Sequence, residues 1–104
     1  MKAPQHLKQH GRKLWQELQA EYAITDSAGL ALLARAAECL DRLADAQALI
    51  ERDGSVVDDR YGVPKQHPAI SIEKDSRNGF FAALKAMNLD IEPLRDGPGR
   101  PPGV

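Results

Sequence analysis

Apolar residues recur with helical spacing along most of this 104-residue chain. Leu7, Leu14, Leu18 and Tyr22 stand seven and four positions apart, with Trp15 beside Leu14. That period puts them on one helical face. It predicts a first helix over about 7–22, behind a frayed lead-in of residues 1–6. Gly11 weakens its first turns.

The segment ITDSAGL reads as a helix start, because the side chain of Thr25, Asp26 or Ser27 can accept a hydrogen bond from an unpaired amide of a following first turn. The strongest pattern in the chain comes next. Leu33, Ala36, Leu40, Leu43, Gln47 and Ile50 are spaced 3, 4, 3, 4 and 3 apart, an a/d seam with one polar member. Leu30, Ala37 and Ala44 widen it, and the small alanines let a neighbouring helix approach closely. Glu38, Asp41, Arg42, Asp45 and Arg52 lie off the seam, and Glu38–Arg42 is a favourable i,i+4 pair. The helix is expected to end near Asp53, where Gly54 supplies a left-handed cap. At about 1.5 Å per residue it would be roughly 40 Å long.

The segment SVVDDRYGV breaks the pattern. Val56–Val57, a polar turn at Asp58–Arg60 and then Tyr61–Val63 suggest a very short hairpin, which must lean on a helix to be stable. In the stretch YGVPKQHPAISI, Pro64 fixes an extended lead-in and Pro68 pre-sets the first turn of a third helix. His67, directly before a proline, is pushed away from helical angles, so it reads as a boundary rather than a chemical group. Ile72, Ser76, Phe80, Leu84 and Met87 trace one face of the third helix, with Phe81 and Ala83 beside it. Gly79 inside it costs about 1 kcal/mol against alanine and marks a kink or the close approach of another backbone. Ile91 and Pro93 mark its end.

The final ten residues, RDGPGRPPGV, hold three prolines and three glycines, a composition that cannot bury a core and is expected to be flexible or extended. The organisation is therefore one helical domain over 1–93 and a tail over 94–104, without an internal repeat. The expected fold is all-α: three main helices, a long central one, and an irregular or hairpin-like connector between the second and third.

Composition supports helices over a β-sandwich. Aromatics make up only 5% of the chain against 42% hydrophobic residues, so the core must be mostly Leu, Ala, Ile and Val. Net charge is −1, but its distribution is uneven. Residues 1–25 carry four bases against two acids, 26–59 three against eight, and 60–104 seven against five. Basic ends on an acidic middle permit a local anion-binding face. A single cysteine, Cys39, rules out an intrachain disulfide and a thiolate-built metal site. No stretch resembles a signal peptide or approaches the roughly 20 apolar residues of a membrane span, so a cytoplasmic protein is expected.

Candidate chemistry is sparse. His6 and His10 share i,i+4 spacing, which on a helix can present two imidazoles to one metal, but no third ligand stands near them in sequence. Cys39 has no histidine within its helix to activate it. Asp58 and Asp59 are adjacent and point apart in an extended chain, poor geometry for shared acid–base work. No phosphate-cradling glycine loop, nucleophile elbow or dinucleotide fingerprint is present, so no catalytic residue, cofactor or metal is assigned. What remains is electrostatic. Lys8 and Arg12 lie i,i+4 on one face of the first helix, with Lys13 next to Arg12 and Lys2 ahead of them. Such a group suits nucleic-acid phosphates, although an ordinary solvated face has the same composition. Arg100 in the tail's GRPP segment suits a narrow minor groove.

The order of features resembles a known family. A tryptophan-bearing first helix (LWQELQAEYAIT) precedes Thr25-Asp26, which opens a long helix ending in IERDG. A short extended loop closes with HPA, and a third helix ends in MNLDIEPLR. This resembles the short, helical family of phage terminase small subunits over about residues 7–95. The resemblance implies a non-enzymatic protein that assembles as a homo-oligomer, often a ring. It would bind the packaging site on double-stranded viral DNA in the host cell and hand it to the large subunit, which holds the ATPase and nuclease. The residues assigned are Lys8, Arg12, Lys13, Lys2 and Arg100 for DNA, and Leu33, Ala36, Leu40, Leu43 and Ile50 for packing within or between subunits. The tail is a candidate contact with the large subunit. The alternatives are a small helical transcription regulator or antitoxin, a protein-only oligomeric adaptor, and a metal hydrolase using His6 and His10.

Overall fold

The computed structural model describes residues 2–89. They form three helices and one small hairpin: α1 (Gln9–Tyr22), α2 (Ser27–Asp53), β1 (Val56–Asp58), β2 (Pro64–Gln66) and α3 (Ala69–Met87). The all-α architecture with a long central helix is the one expected. Residues 90–93 and the tail with Arg100 lie outside the described residues.

α2 is the spine, with α1 packed on it and α3 making its most extensive contact. Its start follows the sequence signal: Asp26 is the N-cap, and its carboxylate accepts the Gly29 N–H at 2.8 Å. At its other end the Gly54 N–H bonds the Ile50 carbonyl at 2.7 Å. Gly54 has a positive φ of 84° but an extended ψ of 163°. The expected left-handed cap is thus replaced by a turn that sends the chain straight into β1.

The core gathers where the three helices meet near the start of α2. Leu7, Trp15, Ile24, Leu33 and Ala37 are buried together, with Met87 and Leu89 from the end of α3 packed against them. Leu33 is fully buried, which contributes about 2 kcal/mol. Of the alanines expected to allow close approach, Ala37 is buried and Ala44 half-buried; Ala36 of the seam is buried too, as are Cys39 and Ala46, which the pattern did not single out. Leu40, Leu43 and Ile50 are only half-buried, and Gln47 is exposed, so the seam is filled unevenly by this one chain.

Four further expectations are corrected. α1 starts at Gln9, so Leu7 is buried ahead of the helix and not within it. The second strand is Pro64–Gln66, while Tyr61–Val63 lie in the loop. The cause is Asp59, whose carboxylate accepts the N–H groups of Tyr61 and Val63 at 2.8 and 3.0 Å and lengthens the turn. Pro64 is tolerated because a two-stranded sheet has only edges. Ile72 is 48% exposed and leaves the inward face of α3, which is held by Ala69, Ser76 and Ala83. Finally, α3 ends earlier than expected, at Asn88 in the left-handed region (φ 52°, ψ 47°).

Candidate nucleic-acid interface

The basic candidates cluster at the start of α1, and the physics of that helix start decides what they are free to do. A helix leaves its first amides without partners. The N-cap of α1 is Lys8, whose side chain makes no cap bond. Asp41 of α2 supplies the missing acceptors. Its Oδ2 accepts the Lys8 N–H and its Oδ1 the Gly11 N–H, both at 2.7 Å. These are the N-cap and N3 amides, the pair that a capping box satisfies within one helix. Here one buried carboxylate reaches both from the neighbouring helix, at the end of α1 where the helix dipole favours negative charge.

The close approach explains Gly11. A Cβ at that position would stand 2.5 Å from the Ala37 carbonyl oxygen and 2.5 Å from Asp41 Oδ2. Glycine is therefore a condition of the α1–α2 contact rather than a local weakness of α1.

Two of the four cations placed by the structure are engaged internally. Lys8 Nζ pairs with Asp45 Oδ2 at 2.7 Å. That hydrogen bond, and then the Asp45 charge, hold the ammonium's pKa above its ordinary value. Arg12 turns its guanidinium back over the lead-in and donates to the carbonyls of Leu7, Gln5 and Pro4 at 2.8, 3.3 and 3.5 Å. Lys13 and Lys2 are exposed and form no ion pair among the described residues.

His6 lies in the lead-in and His10 in the first turn of α1. His6 Nε2 lies 2.7 Å from Glu38 Oε2, while His10 is exposed. Among the described residues, no three His, Cys, Asp or Glu side chains are placed to hold a metal ion. Glu38, Asp41 and Asp45, about one turn apart on α2, thus clasp His6, the helix start and Lys8 in succession.

His67 is buried and structural in a more specific sense than its position before a proline suggests. The Ala69 N–H donates to its Nδ1 at 2.9 Å, so Nδ1 is the unprotonated nitrogen. Nε2 then carries the hydrogen, and it meets Asp53 Oδ2 at 2.9 Å. The ring caps α3 and ties its start to the end of α2. Asp53 is held well below the usual carboxylate range, first by the Arg52 hydrogen bond and then by that of His67.

Asp41 is the residue that reading the sequence alone missed, because it looked like one more solvated charge off the seam. Two signals pointed to it. It lies in register with buried Leu33 and Ala37 at steps of four, and α1 begins without a capping side chain of its own.

No helix among the described residues is long and apolar enough to cross a membrane. No curated protein and no solved structure matches the chain. The family described as phage terminase, small subunit, matches residues 8–92. That span takes in all three helices and the hairpin, so the chain belongs to the phage terminase small subunit family, whose role is in phage DNA packaging.

Proposed function

We propose that this protein is the non-catalytic DNA-recognition subunit of a viral packaging terminase. It binds double-stranded viral DNA as a homo-oligomer in the host cytoplasm and delivers it to the large subunit. The observation that carries this reading is the family match across residues 8–92. On this account Lys2 and Lys13 contact DNA phosphates directly. Lys8 and Arg12 do so only by exchanging internal partners, and Arg100 adds a contact from the tail.

Phosphate contacts from one protomer are few, so affinity depends on several copies acting together through effective concentration. Leu33 and Ala36 are spent inside the protomer. Half-buried Leu40, Leu43 and Ile50 are the seam positions left with apolar surface for a second copy.

Native mass spectrometry of the full chain with and without duplex DNA tests the assembly. A defined oligomer that takes up DNA as a unit is expected. A strict monomer at micromolar concentration, with DNA or without it, would remove the ring from the proposal. A transcription regulator or antitoxin would bind DNA but show no affinity for the large subunit, so co-sedimentation with that subunit separates the two readings.

A further inference from the structure

α3 buries Ala69, Ser76 and Ala83 against α2. At about 100° per residue, the side of the helix opposite Ser76 carries Lys74, Asn78, Phe81 and Lys85, spaced 4, 3 and 4 apart. All four are exposed, and Phe81 is 59% exposed despite its size. Neither lysine forms an ion pair among the described residues. The neighbouring acid Glu73 is occupied by Arg77 at 3.2 Å, and Asp75 forms no ion pair among the described residues. α1 differs, because two of its cations are already bound to groups of this chain.

We infer that this outward face of α3 is a duplex-DNA-reading surface, lying in the major groove. The inference rests on the DNA-binding reading above and adds to it the element that reads sequence. The dimensions fit. Lys74 and Lys85 are eleven residues apart, roughly 16 Å along the axis, and the major groove is about 12 Å wide. A lysine at each end reaches the phosphates on either side while the middle of the helix faces base edges. Asn78 sits in that middle and suits adenine, whose N6 and N7 pair with a side-chain amide in two hydrogen bonds. Phe81, one turn on, suits the thymine methyl group. Charge complementarity favours DNA as the occupant: Lys74 and Lys85, without ion pairs among the described residues, place a positive charge at each end of the face, where phosphates of the two strands would neutralise them.

The test uses the full-length protein and a library of randomised 24-base-pair duplexes, with selection and sequencing at two salt concentrations. Asn78→Ala, Lys74→Ala, Lys85→Ala and Phe81→Ala are compared with the wild type and with Lys13→Ala. All are exposed positions, and circular dichroism checks that each variant stays folded. The wild type should enrich a motif containing an adenine. Asn78→Ala should lose discrimination at that position about tenfold while keeping its salt dependence. Lys74→Ala and Lys85→Ala should weaken binding to all sequences and lower the salt slope by about one each per engaged protomer. If these variants bind and select like the wild type while Lys13→Ala does not, DNA is held at α1, and the α3 inference fails while the DNA-binding reading stands. If Phe81→Ala or Lys85→Ala changes the native mass but not DNA selection, the face is a contact between proteins and the inference fails. If the wild type binds no duplex, both readings fail together.

Discussion

The carboxylate of Asp41, in the middle of α2, accepts the backbone N–H of Gly11 in the first turn of α1 at 2.7 Å. The same carboxylate takes the Lys8 N–H, so one buried side chain holds a helix start that has no cap of its own. Removing it leaves two amides without acceptors. Asp41→Ala should lower unfolding free energy by about 2–4 kcal/mol, the scale of lost charge-assisted bonds to poorly solvated donors. Asp41→Asn keeps one acceptor but turns an amide NH₂ toward the other N–H, and should cost less. Urea unfolding measures both. A loss below about 0.5 kcal/mol for Asp41→Ala would show that α1 does not depend on this cap.

Gly11→Ala tests the same contact from the other side. Helix propensity alone favours alanine by about 1 kcal/mol. The added methyl would meet the Ala37 carbonyl oxygen at 2.5 Å, and overpacking of this kind costs about 1–3 kcal/mol. The net effect should be destabilising. The buried single tryptophan, Trp15, reports whether α1 lifts off: its emission should shift to the red in Gly11→Ala. A stabilised variant with unchanged emission would contradict the close approach.

Gly79 and Cys39 form a second close pair. A Cβ on Gly79 would lie 2.9 Å from Cys39 Sγ. Gly79→Ala should therefore destabilise the wild type yet become neutral or stabilising on a Cys39→Ala background. The expected coupling in a double-mutant cycle is about 1 kcal/mol or more. Simple additivity would mean that α2 and α3 are not held this near.

The pH dependence follows from Asp53. Its folded pKa is depressed by Arg52 and then His67. The unfolded chain therefore takes up this proton first as pH falls. The stabilisation is fully present above the ordinary aspartate value of 3.8 and drains away below it, toward the lower folded value. Asp53→Asn should flatten the stability curve below about pH 4 and leave its shape at neutral pH unchanged. An acid limb as steep as that of the wild type would remove Asp53 from the account.

Much of the architecture was legible because local and long-range signals agree there. The 3–4 repeat through Leu33 and Ala36 marks α2, Asp26 opens it as one of the three cap candidates read there, and Pro68 stands where α3 begins. The connector was half legible: Val56–Val57 form a strand, but the reach of the Asp59 side chain moved the second strand three residues along. Gly79 was readable as a kink or the close approach of another backbone, and what comes near is the Cys39 side chain; Gly11 was read only as a weak point, since its partner atoms come from Ala37 and Asp41 far along the chain. The basic cluster shows the same limit. Composition places Lys8, Arg12 and Lys13 together, but only the fold shows that Asp45 and the lead-in carbonyls occupy the first two.

The central claim is that this chain binds duplex DNA through phosphate contacts made by several copies. The most direct test is the affinity of the full-length protein for a duplex at salt concentrations from 50 to about 200 mM. Counterion release predicts a linear fall of log affinity with log salt, with a slope of about −0.9 per phosphate contact. A slope of several units is expected if the oligomer engages DNA. Absent binding, or an affinity flat across that range, would contradict the account and leave a protein-only adaptor as the better description.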